Sequence, residues 1–526
     1  MNTATGQPLS PAAGHSPAAL HVLDHDDTVA IALRDLPAGK RISTPDGRIL
    51  VITGDVPQGH KVALADVSVG SVVRKYAHVI GVATAPITAG DHVHSHNLAF
   101  SAHEGSSADD AAGEPLGPLE LPDRRTFLGI RRSDGSVGTR NFIAVLSSVN
   151  CSATVCRTIA ARAEASGLLD EFPGLDGVVA LTHDQGCGHV AQGQGLAMLR
   201  RTLAGYAQHP NIGGVVMIGL GCQMNQMEHL LEGITFRPEV PVVSFTVQEQ
   251  GGTKRAIARG LEAVREMAPT VTDVTRVEVP VSELVVGLNC GGSDAWSAVT
   301  ANPALGHASD LIVAQGGRTV LAETPEIYGA EDLLVRRAAS PAVARDLLDV
   351  IGWWEEYTAA DGGGSMDNNP SPGNKAGGIT TILEKSLGSV AKGGHAPLMA
   401  VHRYAEPISA RGFSFMDTPG YDPVSVTGLI AGGCTMVCFT TGRGSAIGTR
   451  PAPTLKLSTT SDLFRRMGDD MDLDCGSIVE QGRSIESVGL DIYHRILDVA
   501  SGTPTKSEEL GYGDNEFVPW HVGAVT

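Results

Sequence analysis

"GGVVMIGLG", Gly213–Gly221, is an apolar run with glycine at both ends and no polar residue to mark a solvent face. Its length suits a strand, and the lack of alternation suits one covered on both sides, as in parallel sheets. Outward from it the same texture recurs: "FIAVLSSV" (142–149), "GVVALTH" (177–183), "VPVVSF" (240–245), "ELVVGLN" (283–289), "DLIVAQGG" (310–317), "TVLAE" (319–323), "APLMAV" (396–401), "TMVCFTTG" (435–442) and "TLKLST" (454–459). Amphipathic stretches separate the runs. Ser340 as N-cap, Pro341 at the first helical position, then Val343, Leu347, Val350, Ile351 and Trp354 trace one helical face. Strands alternating with helices predict an α/β body with mainly parallel sheets.

The N-terminal quarter reads differently. Residues 1–20 hold few large apolar side chains, which predicts a loose tail. Across 21–100, short β-branched runs ("TVAIAL", "RILVI", "HKVALADVSVG", "SVVRKYAHVIGVAT") are punctuated by turn residues, which predicts a small β-rich domain. Residues 101–123, rich in Pro, Gly, Ser and acids, read as a linker. The body then divides into a middle domain, 124–280, and a C-terminal domain, 281–526. The sequence contains no internal repeat.

A net charge of −19 over 526 residues, with 4% aromatics and no sustained Lys/Arg block, argues against a nucleic-acid groove or an anionic membrane surface. The N-terminus lacks the charged and apolar regions of a secretory signal, and no apolar run approaches membrane-spanning length, so a cytoplasmic location is expected. Eight cysteines are too sparse for a disulfide scaffold, and reduced thiols are expected.

In open α/β sheets ligands gather at the carboxyl ends of strands. There the chain places His183, Asp184, Cys187 and His189; Cys222 and Asn225; Asn289, Cys290, Ser293 and Asp294; and Glu323 with Glu326. Each alone has an ordinary explanation as a buried thiol, a hydrogen-bonded imidazole or an acidic helix start. Together, Gly-flanked turns carrying sulfur, imidazole and carboxylate suit a divalent transition metal better than calcium or magnesium. The absence of a C-x-x-C pair argues against a zinc knuckle. Three separated cysteines, Cys187, Cys222 and Cys290, suit an iron–sulfur cluster equally, and spacing alone leaves both open. His94 and His96, at i and i+2 in "GDHVHSHN", have metal-ligand spacing on an extended segment. Arg140, Asn374, Lys375 and Arg443 sit in polar Gly- or Pro-rich loops, and arginine is the natural fork for a carboxylate.

"DTVAIAL…GHKVAL…KYAHVIGVAT…GDHVHSHN" resembles the SAF-type N-terminal domain of the altronate/galactarate dehydratase family. "RSDGSVGTRN", "THDQGCG", "IGLGCQMNQ", "GLNCGGSDAWSAVTANPALG", "NPSPGNKAGGITTILEKSLGS" and "FTTGRGSAIG" resemble that family's body in order. The resemblance runs from about Asp24 to the C-terminus. "VHSHN" and "AETPEIYGAEDLL" resemble the altronate enzymes more than the galactarate ones. Where family members often carry a histidine ahead of the first strand, this chain has Asp24, with His25 one place later.

The resemblance implies a hydro-lyase that removes water from a sugar acid, D-altronate to 2-dehydro-3-deoxy-D-gluconate, with D-galactarate dehydration or sulfolactate sulfo-lyase chemistry as alternatives. A sugar-acid sensor without catalysis is the non-enzymatic alternative. Iron(II) is the implied ion, with manganese(II) second, held by Cys187, Cys222, Cys290, His94 and His96. Losing the C2 proton creates an enediolate that needs charge stabilisation. His183, Lys375 and Glu323 are the expected catalytic groups, and Arg140, Asn289, Ser293, Asp294, Asn374 and Arg443 the expected substrate contacts. The only partner expected is the small-molecule sugar acid, on a homodimer.

Overall fold

The computed structural model describes residues 19–101, 105–113, 115–360 and 364–523. The loose tail expected over 1–20 falls, up to residue 18, outside them. The N-terminal domain is β-rich. Leu20–His21, Val29–Ala32, Lys61–Ala63 and His92–Val93 form an antiparallel sheet, and Val72–Lys75, His78–Ala83 and Leu98–Ala99 form a second. The segment after it does not hang free, since Ala108, Ala111, Leu116 and Leu121 pack on the core of the body.

The body contains two all-parallel sheets. The smaller comprises β1 (Phe142–Ser147), β2 (Gly177–Leu181), β3 (Ile212–Gly219) and β4 (Val242–Thr246), in the order β2-β1-β3-β4. Every residue of β1 and β3 is buried, as runs without alternation require. The larger comprises β5 (Val285–Cys290), β6 (Arg318–Leu321), β7 (Leu398–His402), β8 (Gly412–Met416), β9 (Met436–Thr441), β10 (Thr454–Ser458) and β11 (Leu473–Asp474), in the order β7-β8-β6-β5-β9-β10-β11. In each sheet the chain starts centrally and moves first to one side, then to the other. The crossover points therefore lie at the carboxyl ends of β1 and β5, where open sheets form ligand crevices.

One predicted strand is a helix. "DLIVAQGG" begins within the helix Ala301–Ala314, which is buried on nearly all sides and so carries no polar face to mark its helical period. The helix Pro341–Ala360 forms as expected, with Leu347, Val350, Ile351 and Trp354 buried.

The N-terminal domain docks on the body through a buried ionic contact. Lys61 and Lys75 reach Glu384 of the helix Ile382–Val390 at 2.9 and 2.8 Å, all three side chains being 2% exposed or less. Lys61 also donates to the carbonyl of Gly378 at 2.7 Å. This contact holds the N-terminal histidines against the turn that precedes the helix.

Candidate active site

At the carboxyl end of β5 the chain continues through Gly291 and Gly292, which form one wall of a cavity of about 370 Å³. Glu326, Lys385 and Asp422 supply its ionisable groups, and Asn368, Asn369 and Asn374 its side-chain amides. Gly291 is required by geometry. A Cβ there would stand 2.2 Å from Asp422 Oδ2 and 2.5 Å from the Phe439 ring, so any side chain would displace Asp422.

The cavity's charges come from three elements. Lys385, on the helix Ile382–Val390, donates to Glu326 Oε1 at 2.6 Å, to Asn369 Oδ1 at 2.9 Å and to Asn374 Oδ1 at 3.4 Å. Burial alone would discharge the ammonium, but Glu326 outweighs it and the Lys385 pKa is raised. Burial likewise favours a neutral Glu326, yet Lys385 and Lys392 hold it below the usual range, so it is a carboxylate. Asp422 is pushed up to about 6, first by burial and then by the Glu326 charge, with Lys385 and Lys392 opposing. A carboxyl poised near neutrality on a cavity wall is suited to moving protons.

Behind the wall is a buried nest. Cys290 Sγ lies 2.7 Å from Lys392 Nζ and 3.1 Å from Glu326 Oε2. Burial, then the neighbouring carboxylates, push the thiol up to about 12. Glu323 takes a left-handed backbone, φ 74°, rare for a non-glycine residue. Its amide donates to Thr418 Oγ1 at 2.9 Å, and its Oε2 accepts from the Cys290 amide at 3.3 Å. Burial and Glu326 raise its pKa well above the usual range. Glu323 Oε1 lacks a hydrogen-bond partner. Strain of this kind is tolerated where a group must be held in place.

The expected site residues divide between the two sheets. Asn374 lines the cavity. Its Nδ2 donates to the Ser293 carbonyl at 2.8 Å, and a capping box with Ser371 fixes it. Asn289 is buried on β5, with Nδ2 3.4 Å from Ser425 Oγ. Asp294 and Arg443 line a neighbouring cavity of about 240 Å³ with Arg466. Burial pushes Asp294 up to about 6.

Four expectations change. Lys375 is not on the cavity wall. The turn Pro372–Ala376 is helical, so consecutive residues face different ways, and the lysine that reaches the cavity is Lys385. Arg140 is committed elsewhere, to Glu508 at 2.6 Å and to the carbonyls of Thr139, Val499 and Thr503. His183 lies by the smaller sheet with both ring nitrogens engaged, one with the Ser147 carbonyl at 2.9 Å and one with the Gln185 amide at 3.1 Å. Burial lowers its pKa to about 4. Cys187 and Cys222 are exposed on the rim of the smaller sheet, and among the described residues no set of three donors within 4.8 Å joins either to Cys290.

Two donor sets bear on a metal. Cys290, Glu323 and Glu326 lie within 4.8 Å of one another, but Lys392 and Lys385 already hold the cationic positions, and the set does not fit a divalent ion. The histidines supply nitrogen donors instead, although no three of their rings bring nitrogens within 4.8 Å of one another. The rings of His60, His92 and His94 have centroids 5.0–5.5 Å apart, His96 lies 5.4 Å from His92, and His60 Nδ1 faces His92 Nε2 at 2.9 Å. Burial, then the neighbouring positive charges, lower His60 to about 4 and His92 to about 3, leaving neutral imidazoles, the ligand form. His94 Nε2 bonds the Lys375 carbonyl at 2.9 Å, tying the group to the turn beside the cavity.

A charged cavity at the crossover point of an open parallel sheet, with a carboxyl near neutrality beside a fixed ammonium, defines an acid–base enzyme. Models of the altronate/galactarate dehydratase SAF domain, the D-galactarate dehydratase/altronate hydrolase second domain and the D-galactarate/altronate dehydratase C-terminal domain match residues 18–101, 129–272 and 281–525. The chain belongs to this family and is a hydro-lyase. It is 34% identical to the altronate dehydratase of Bacillus subtilis over 92% of this chain and 95% of that one. It is 36% identical to the altronate dehydratase of Escherichia coli over 93% and 96%. With the galactarate dehydratase (L-threo-forming) of Escherichia coli the identity is 38% over 97% and 98%. No helix among the described residues is long and apolar enough to cross a membrane.

Sequence reasoning missed Lys385, Asp422, Lys392, His60 and His92 as site residues. His60 and His92 come together because Lys61–Ala63 and His92–Val93 are adjacent antiparallel strands, in whose register Lys61 meets Val93 and Val62 meets His92, and this pairing is not readable from the sequence. Lys385 sits in a quoted motif but reads as an ordinary helix-surface lysine, and only the fold buries it.

Proposed function

We propose that the enzyme dehydrates D-altronate to 2-dehydro-3-deoxy-D-gluconate, with Asp422 and Lys385 as the groups that meet the substrate. The observation that carries this is that one cavity is lined both by Asp422, a carboxyl shifted to about 6, and by Lys385, an ammonium that Glu326 keeps charged. Asp422, ionised at neutral pH, takes the C2 proton. Lys385 faces the enediolate that forms and offsets its negative charge. Protonated Asp422 returns the proton to the departing C3 hydroxyl, which leaves as water. The enol then becomes the 2-oxo acid by taking a solvent proton at C3. Glu326, Asn369 and Asn374 position Lys385, and Glu323, Cys290 and Lys392 fix the wall behind them.

The histidine group His60, His92, His94 and His96 would hold the ion, iron(II) or manganese(II). When bound, that ion supplies Lewis-acid polarisation of a substrate oxygen. A single-carboxylate substrate is favoured because Lys385 is the only cation on the cavity wall among the described residues. The second carboxylate of galactarate would meet Glu326 or Asp422 without a counter-charge.

The test is 2-oxo acid formation from D-altronate, D-galactarate and sulfolactate, measured anaerobically with iron(II). Higher kcat/KM on D-altronate supports the reading, and preference for either rival overturns the substrate assignment. Binding of all three without product overturns the catalytic one.

A further inference from the structure

The smaller sheet has its own crossover point, at the carboxyl end of β1, and three cysteines lie on the loops that leave its strands there. Cys151 follows β1, Cys187 follows β2 and Cys222 follows β3, and these three strands are adjacent. All three thiols are exposed, whereas the other five cysteines of the chain are buried.

The three loops are stitched into one rim. The amide of Asn150 donates to the carbonyl of Gln185 at 2.9 Å, and the amide of Asn225 to the carbonyl of Gly186 at 3.0 Å. The Asn225 side chain donates to the Ser148 carbonyl at 3.0 Å, and Gln223 Nε2 lies 3.3 Å from Ser148 Oγ. Each cysteine is therefore next in sequence to a residue in this inter-loop contact. Cys187 stands between two left-handed glycines, Gly186 and Gly188. A Cβ on Gly186 would meet the Ser148 carbonyl oxygen at 2.4 Å, so the close approach of the first two loops depends on glycine.

The spacing selects the ligand. A single tetrahedral ion draws thiolates to about 2.3 Å each, which brings their sulfurs within about 4 Å of one another. The three sulfurs are not mutually within 4.8 Å. Loops leaving adjacent parallel strands start about 4.8 Å apart, so a rim three strands wide suits a polynuclear centre. We propose that Cys151, Cys187 and Cys222 hold an iron–sulfur cluster, with one iron left without a protein thiolate and open to an oxygen ligand. This cluster is separate from the histidine-bound ion, and Cys290 takes no part in it.

The test is to purify the full chain anaerobically, load it with iron and sulfide, and measure iron, acid-labile sulfide and visible absorption. The expected result is about four iron and four sulfide per chain. Single variants Cys151→Ser, Cys187→Ser and Cys222→Ser should each lower the sulfide by about tenfold or more, with unchanged melting temperature. Cys290→Ser and His92→Ala should retain it. Metal without labile sulfide, or sulfide retained in the triple serine variant, would overturn the assignment.

Discussion

Replacing Glu384 by glutamine isolates the contact that docks the N-terminal domain. Glu384 accepts from Lys61 and Lys75, and also from the Thr380 amide at 2.9 Å and hydroxyl at 2.8 Å. The amide is nearly isosteric, but it removes the carboxylate that pairs with two ammonium groups whose side chains are 0% and 2% exposed. Breaking a buried ionic group this way costs about 3–5 kcal/mol. For domains of this size 1 kcal/mol is worth about 2–4 °C, so the unfolding transition should fall by about 6–20 °C. Burial would raise the Glu384 pKa, but Lys61 and Lys75 outweigh it and hold it well below the carboxylate range. Its stabilisation is therefore complete above the unfolded value of about 4.3 and is lost as pH falls toward the folded value. Calorimetry from pH 7 to pH 3 should show the wild type losing a component that Glu384→Gln already lacks at pH 7. A variant that melts within about 2 °C of wild type at pH 7 would refute the docking role.

The remaining predictions concern the chemistry. The acid limb of kcat/KM should report Asp422, which Glu326, Lys385 and Lys392 face. With its pKa at about 6, the ionised fraction is about nine-tenths at pH 7 and just under one-tenth at pH 5, so the rate should drop about tenfold between them. A flat profile over that range removes Asp422 as the base. His60→Ala and His92→Ala should each weaken iron(II) or manganese(II) binding by about tenfold or more in equilibrium dialysis, and unchanged binding would remove the histidine group as the metal site.

The parallel body was legible because strands such as Phe142–Ser147 and Ile212–Gly219 are buried along their whole length and show it as unbroken apolar runs. Gly412–Met416 passed unnoticed because the run is short and is interrupted by Ser414, which is buried all the same. The strand-end rule points to loops at both crossover points. What it could not give was their grouping, since nothing in Cys187, Cys222 or Cys290 says which parallel strands share a sheet. Two crossover points were therefore read as one. The same limit explains Lys375 and Lys385, ten residues apart in one motif. Their roles depend on a helical turn and on Glu326, which is distant in sequence.

The central claim is that the C2 proton is taken in the cavity beside Gly291. Turnover of D-altronate by Asp422→Asn tests it most directly, with circular dichroism as the check on folding. Loss of general base catalysis predicts a fall in kcat of about 10²–10⁴ with the fold unchanged. Wild-type kcat in the folded variant would contradict it.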